Sequence, residues 1–450
     1  MPADPLDIEQ VIDGARLGPL HWRVLTLCAL VTLLDGYDIQ AMASITPTLA
    51  ADWHVPPGEL RWIITAALIG IAGSALIVSP LGDYFGRRGV LLASFAVVGV
   101  ATLMAATAHT PNQLFAWRLL TGIGLGASLP NALALTAEFA PTQNRTMLVA
   151  LMACGISLGA ATSGFVAPAV IELGGWRAVF ATGGVLAVLA LLPLFALPES
   201  LRFLVARRRD DPNAIGRLLQ RLDPDYRHSD GNNYIMRERP AGKLSVGELL
   251  TPQHAPATLL LWLVFFLNLG LLYLLSSWLP TLLKESGLPL AISLRIAAMF
   301  QIGGVLGGFA LAWLMQRWGP YIVLSISYAL TAAALAIVGA QAPEPALTTL
   351  LIAIMGNGVV GGQVALNVLS ATLYPTTARA TGVGWALGMG RFGGIIAPLA
   401  AGQLMAAGIA IGHLFWLAII PALICAGGVA LLRTAVHRSQ AMTASQSTAG

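Results

Sequence analysis

The chain has 450 residues, of which 56% are hydrophobic and only 10% are charged, and its formal net charge is +4. Soluble globular domains contain about 25% charged residues, so the composition excludes an ordinary soluble protein and indicates a membrane protein with many spans. The slight basic excess does not indicate a nucleic-acid-binding protein, because the arginines fall where membrane topology would place them.

Twelve apolar segments of about 20 residues follow one another along the chain, each bounded by charge, proline or glycine. They lie roughly at 24–49, 60–81, 89–108, 113–137, 146–172, 176–197, 256–283, 291–315, 320–340, 346–371, 381–407 and 411–433. The sequence therefore predicts an all-α polytopic membrane protein with twelve transmembrane helices.

One long polar stretch separates six predicted spans from six. It divides the chain into an N-terminal six-helix bundle (1–197), a cytoplasmic central loop (198–254) and a C-terminal six-helix bundle with a cytoplasmic tail (255–450). Most of the 25 basic residues lie on one side of the membrane if the N-terminus is cytoplasmic. We therefore expect a multi-pass protein of the cell's inner membrane with both termini in the cytoplasm.

The two predicted halves contain an internal repeat. The loop after the second span reads SPLGDYFGRRGVLL (79–92), and the loop after the eighth reads AWLMQRWGPYIVLS (312–325), an offset of 233 residues. In the same way AEFAPTQNR (137–145) matches TLYPTTAR (372–379), with their prolines offset by 234. Two six-helix pseudo-repeats are typical of secondary transporters, whose substrate site lies near the bilayer midplane.

The loop SPLGDYFGRR resembles the cytoplasmic signature of the major facilitator superfamily, although Ser79 replaces its first glycine and Gln316 stands where the second copy would have an aspartate. The resemblance implies the major facilitator fold. It also implies a charged network that latches the outward-open state, with Asp83 capping a neighbouring helix end and Glu138 paired with a nearby arginine. The implied gating residues, for each of which an ordinary solvated loop charge is the alternative, are Asp83, Arg87, Arg88, Glu138, Arg145 and Arg379.

The first span contains LLDGYDIQAM (33–42), which resembles the D-G-x-D element of the aromatic acid:proton symporters. This resemblance implies a secondary active transporter that imports an aromatic carboxylate with protons by alternating access. A proton-coupled sugar or aliphatic organic-acid symporter of the same fold is the alternative, because PESLRFL (198–204) resembles an element shared with sugar porters. A drug:proton antiporter fits less well. The expected partners are the substrate, protons and the lipid bilayer, and we expect a monomer.

Four charged residues lie well inside predicted spans: Asp35, Asp38, Arg118 and Arg391. A lone charge there costs roughly 2.5–3.5 kcal/mol on insertion scales, so such residues usually face a partner or a water-filled cavity. Asp35 and Asp38 share one helix face, where two carboxylates favour holding a proton as a coupled unit. We assign proton coupling to Asp35, Asp38 and Arg118, with an Asp38–Arg118 contact as the coupling element. A structural ion pair is the alternative.

Arg391 is the favoured ligand for the substrate carboxylate, since a guanidinium stays charged and holds a carboxylate bidentately. It lies about 16 Å along its span from the cytoplasmic end. An aromatic substrate also needs apolar walls with a few polar groups. The further candidates, for each of which ordinary packing is the alternative, are Tyr37, Asn268, Tyr273, Trp278, Gln301, Asn357, Gln363, Asn367 and Trp385.

Two motifs of soluble enzymes occur inside predicted spans. GISLG (155–159) formally matches a nucleophile elbow and GMGRFG (388–393) a dinucleotide-binding loop, but neither follows a strand. Close helix packing explains the small residues of both. The three cysteines form no CxxC pair or Cys/His cluster. We therefore expect no enzyme activity, no metal site and no cofactor, with transport driven by the proton gradient.

Overall fold

The computed structural model describes residues 6–207, 212–223, 226, 234–235, 249–251, 255–340, 344–374, 379–409 and 411–447. The described part of the chain is dominated by long helices. In chain order they are α1 (Ile8–Gly14), α2 (Pro19–Trp53), α3 (Arg61–Ile77), α4 (Leu81–Phe85), α5 (Arg87–Ala106), α6 (Pro111–Phe139), α7 (Thr142–Leu194), α8 (Leu201–Arg207), α9 (Pro212–Leu222), α10 (Ala255–Glu285), α11 (Leu290–Trp318), α12 (Pro320–Ala340), α13 (Pro345–Gly356), α14 (Gly362–Leu373), α15 (Arg379–Ala406) and α16 (Ile411–Ser447).

Eleven helices in the described part of the chain are long and apolar enough to cross a membrane. One of them, α7, has 53 residues, and its backbone leaves the helical conformation at Gly174 and Gly175. A continuous helix of that length would measure about 80 Å, far more than the roughly 30 Å of a bilayer core. The break therefore divides α7 into two spans, which confirms the twelve predicted transmembrane helices.

The first compact unit comprises Met1–Ile39, Ala66–Ala160 and Leu173–Arg239. Its core extends beyond the transmembrane helices, because Ile8 of α1 and Leu201 and Leu219 of α8 and α9 are buried in it. Strand β1 (Leu6–Asp7) also pairs in parallel with β2 (Tyr234–Ile235). The stretch predicted as a polar loop thus contains two helices that pack on the N-terminal unit, since α9 has an apolar stripe at helical spacing.

Glycines allow the helices of this unit to approach closely. Gly36 of α2 lies against the backbone of Ile156, and Gly159 of α7 lies against the backbone of Leu33, so a side chain at either position would collide with the neighbouring helix. GISLG is therefore a helix-packing element, as expected.

The second compact unit comprises Gln40–Thr65, Ala161–Glu172 and Pro240–Gly450. Two segments of the first 197 residues therefore pack within it: Gly58 lies against the backbone of Gly402, and Gly164 lies against Leu294. The chain boundaries at 197 and 255 stay a prediction. A π-helical turn, Asn357–Gly361, joins α13 to α14, and such turns often occur at functional sites.

Candidate functional site

Helix α2 places Asp38 in the interior of the first unit, where it forms an ion pair with Arg118 of α6. An oxygen of the Asp38 carboxylate lies 2.6 Å from Nη1 of Arg118. The Thr102 hydroxyl donates to the other carboxylate oxygen at 2.8 Å, and Arg118 also donates to the backbone carbonyl of Asp38. Asp38 is 3% exposed and Arg118 is 1% exposed. The contact expected from the sequence is therefore present, and it is buried.

Asp35 lies three residues earlier on α2 and has a different environment. The Ser128 hydroxyl donates to one oxygen of its carboxylate at 2.7 Å. The other oxygen is buried and has no hydrogen-bond partner among the described residues. A buried carboxylate without a cation is far more costly as an anion than as a neutral acid. The two aspartates therefore differ in that Asp38 is electrically compensated by a neighbour and Asp35 is not.

Two aromatic residues enclose the ion pair. The guanidinium of Arg118 lies 5.4 Å from the centre of the Phe180 ring, within the range of a cation–π contact. The Tyr37 ring lies against Gly183, and its hydroxyl is buried. The structure thus places Tyr37, a candidate substrate contact, beside the ion pair in the interior of the first unit.

Sequence reasoning did not find the side chains that surround the aspartates. Thr102, Ser128 and Phe180 lie on three different helices and contact the charged residues directly. The available signal was weak. Ser128 is a polar residue in the same span as Arg118, but hydroxyl residues are common in membrane helices.

In the second unit, Arg391 of α15 is half-buried and has no acidic partner among the residues that the structure describes. Tyr273 of α10 interacts electrostatically with it, and the Tyr273 ring lies against Gly394. Gly388 lies one turn before Arg391. Apart from its own helix, no atom lies within 4 Å of the position that a Cβ would occupy there. A half-buried guanidinium without an acidic partner among the described residues can accept an anionic ligand.

Asn268 of α10 is fully buried, and the protein itself occupies its hydrogen-bonding groups. Its amide donates to the Gln363 side chain at 2.8 Å and to the Val359 carbonyl of the π-helical turn at 3.3 Å. Its oxygen accepts from the Tyr328 hydroxyl at 2.9 Å. Gln363 in turn donates to Asn367, which is exposed. Asn268 therefore braces the π-helical turn, whereas Gln363 is partly exposed and Asn367 is exposed.

Two of the remaining candidates of the second unit are buried and hydrogen-bonded within the protein. Trp278 is completely buried and donates to the Pro398 carbonyl at 2.9 Å, which is a packing role. Gln301 donates to the Ser276 hydroxyl at 3.1 Å in a buried contact.

Two other candidates of this unit are more accessible. Trp385 is 45% exposed and stacks on Trp262, with ring centres 5.6 Å apart. Asn357 is partly buried and accepts from the Ser327 hydroxyl at 3.2 Å.

The predicted gating charges of the first half meet at the loop between α4 and α5. Arg87 contacts Glu138 at 2.8 Å and Asp83 at 3.3 Å. Asp83 therefore pairs with an arginine, and no side chain caps the start of α5. The Arg145 guanidinium donates a hydrogen bond to the Ala140 carbonyl, whereas the arginine that pairs with Glu138 is Arg87. The side chain of Arg379 lies outside the described residues.

The PES element contributes to this cluster more than the sequence suggested. Glu199 accepts a hydrogen bond from the backbone N–H of Arg88, whose guanidinium donates to the Phe195 carbonyl at 2.7 Å. Ser200 donates to Glu138. Gly86 has φ +93°, which favours glycine, and the Glu199 carboxylate lies where a Cβ would be. The backbone conformation therefore favours the signature glycine, and a side chain there would also displace the Glu199 carboxylate.

Comparison with known proteins agrees with this architecture. The family model described as Major Facilitator Superfamily matches residues 28–398 and again 289–447. The chain is 37% identical to the 4-hydroxybenzoate transporter PcaK of Pseudomonas aeruginosa, with 97% of this chain and 98% of that protein covered. It is also 37% identical to the gallate transporter of Pseudomonas putida, with 96% and 97% covered.

Solved structures support the same fold. The crystal structure of a D-xylose–proton symporter matches with a TM-score of 0.70 at 18% identity, covering 91% of this chain and 97% of that one. At this identity the match concerns the fold alone. The full-length relatives confirm the resemblance to aromatic acid transporters, and with the family match they show a transporter and not an enzyme. The chain therefore belongs to the major facilitator superfamily of membrane transporters.

Proposed function

We propose that this protein imports a hydroxylated or unsubstituted aromatic carboxylate together with protons. The observation that carries the proposal is the unequal environment of the two aspartates: Asp38 is paired with Arg118, and Asp35 is buried without a cation among the described residues. A carboxyl group in such a place is stable when protonated and costly when charged, so proton binding and release are tied to a change in its surroundings.

The substrate class is supported by two independent features. The full-length relatives are named as transporters of 4-hydroxybenzoate and gallate, which are both hydroxylated aromatic acids. Arg391 is half-buried and has no acidic partner among the described residues, as expected of a ligand for a substrate carboxylate. Gln363 and Asn367 are polar groups suited to a ring hydroxyl, and the exposed ring of Trp385 offers a stacking surface.

In this proposal Asp35 carries the transported proton, and the Asp38–Arg118 ion pair responds to the protonation of Asp35. Protonation of Asp35 removes a negative charge one turn from the ion pair, which changes the field at Arg118. The Arg87–Glu138 contact serves as a latch that opens and closes during the cycle. We place the protein in the inner membrane with both termini in the cytoplasm, supported by the distribution of Lys and Arg.

Uptake into proteoliposomes tests the proposal. The labelled panel contains benzoate, 4-hydroxybenzoate, gallate, an aliphatic carboxylate and xylose, each measured with and without an inward proton gradient. We expect gradient-dependent accumulation of one or more aromatic acids and none of xylose. Accumulation of xylose in preference to every aromatic acid, or uptake that ignores the gradient, would overturn the proposal.

A further inference from the structure

The second unit contains an apolar groove of about 440 Å³ between α11, α12 and α13. Small-molecule sites occupy roughly 300–1,000 Å³, so this groove is much larger than a packing defect. Its walls are formed by Leu306, Ala310, Leu314, Trp318, Ile326 and Leu330. Leu306, Trp318 and Leu330 are each more than half exposed. Because these residues lie on membrane-spanning helices, the groove opens toward the lipid.

A positive charge lies beside one end of the groove, because Arg317 directly precedes the lining residue Trp318 on α11. Arg317 follows Ala310 by seven residues and Leu314 by three, so it continues the helix face that forms one wall. Its guanidinium lies 4.4 Å from the centre of the Trp313 ring, which holds it at the end of the span. No acidic side chain pairs with Arg317 in the described part of the chain.

Few polar side chains line the opposite, deeper part of the groove. Ser327 and Asn357 line it, and the Ser327 hydroxyl donates to the Asn357 side-chain oxygen at 3.2 Å. A ligand for this groove therefore has a long apolar part and one anionic group at the Arg317 end. In a bilayer the abundant molecule with this chemistry is an anionic glycerophospholipid.

We propose that this groove binds an anionic phospholipid, with one acyl chain between α11 and α12 and the phosphate at Arg317. A lipid tail gains little by leaving one apolar environment for another, so the groove shape alone selects weakly. The headgroup charge provides the selection, since basic residues at the ends of membrane helices attract anionic headgroups by about 1 kcal/mol each, which is about fivefold in affinity. Asn357 is the one candidate substrate contact in the lining of the groove, and Arg317 and the apolar wall residues are not among the residues assigned to proton or substrate.

Native mass spectrometry of the purified full-length protein in detergent tests the proposal, with phosphatidylglycerol and phosphatidylcholine titrated at equal concentrations. We expect the wild type to retain phosphatidylglycerol about fivefold more strongly. Arg317→Gln is expected to remove this preference, and Arg317→Lys to preserve it. Ala310→Phe fills the groove and is expected to weaken retention of both lipids.

Two variants of α16 are matched controls. Arg433→Gln removes an exposed arginine near the end of the membrane span Gly412–Ala435 within that helix, and Ala430→Phe enlarges an exposed alanine in the same span. Both are expected to retain phosphatidylglycerol as the wild type does. Equal retention of the two lipids by the wild type, equal losses in Arg317→Gln and Arg433→Gln, or unchanged retention in Ala310→Phe would overturn the proposal. Far-UV circular dichroism establishes that each variant is folded.

Discussion

The carboxylate of Asp38 and the guanidinium of Arg118 lie 2.6 Å apart in the interior of the first unit. This pair accounts for two of the four charges that the sequence places inside the membrane. Asp35, the first aspartate of LLDGYDIQAM, differs from Asp38 in its electrostatic environment. It is just as buried, but among the described residues it receives only a hydrogen bond from Ser128. The two aspartates are therefore expected to respond differently to substitution.

Asp35→Asn is expected to abolish accumulation of substrate against its gradient while preserving exchange of substrate across the membrane at equal pH. Asparagine can still accept the hydrogen bond from Ser128, but it cannot carry a proton. Uptake driven by a pH gradient and counterflow without one measure the two properties separately. Glu285→Gln, which neutralises an exposed acid at the end of α10, is the control. Normal accumulation in Asp35→Asn would show that this residue does not carry the proton.

Asp38→Asn is expected to destabilise the protein, because it leaves the Arg118 guanidinium buried without its partner. Breaking one side of a buried ion pair typically costs about 3–5 kcal/mol. Thermal unfolding in detergent measures the effect, and the double variant Asp38→Asn, Arg118→Gln is expected to recover part of the loss. A double variant as unstable as the sum of the single variants would argue that the two side chains act independently.

Arg391→Lys is expected to raise KM for an aromatic carboxylate by roughly tenfold, because lysine keeps the charge but loses the bidentate geometry. The maximal uptake rate is expected to change less. Initial rates of uptake over a range of substrate concentrations separate the two parameters. Arg433→Lys is the matched control, since Arg433 is an exposed arginine near the end of the membrane span Gly412–Ala435. An unchanged KM in Arg391→Lys would remove Arg391 as the carboxylate ligand.

Asn268→Ala is expected to lower the stability of the second unit by loosening the π-helical turn. The substitution leaves the buried Tyr328 hydroxyl without its acceptor and removes one of the two hydrogen bonds that the Val359 carbonyl accepts. An unsatisfied buried polar group costs roughly 1–3 kcal/mol. The midpoint of thermal unfolding should fall in this variant and stay unchanged in Asn112→Ala, which removes an exposed asparagine at the start of α6. Equal midpoints would mean that Asn268 does not brace the turn.

The sequence was sufficient for the broad architecture and for the charged centre of the first unit. Apolar length located the spans, and the Gly174–Gly175 break falls between two predicted ones. The cost of a membrane charge singled out Asp38 and Arg118, because few residues can compensate a buried carboxylate. These features depend on composition and chemistry alone, which a single sequence displays.

Other features depend on which helix faces meet, and the sequence carries no comparable signal for them. Thr102 and Ser128 contact the aspartates, yet a hydroxyl residue in an apolar helix is as often bonded to its own backbone. Asn268, a candidate substrate contact, is fully buried and bonded to the π-helical turn, which the sequence did not indicate. Helices α8 and α9 were hidden by the polar composition of 198–254, although their apolar residues join the core of the first unit.

Proton movement that accompanies the substrate is the most direct test of the central claim. Proteoliposomes containing the wild type or Asp35→Asn are placed in a weakly buffered medium, and the external pH is recorded when 4-hydroxybenzoate is added. The wild type is expected to make the medium more alkaline as protons enter with the acid, and Asp35→Asn is expected to give no change. Substrate uptake by the wild type without any alkaline shift would contradict the account.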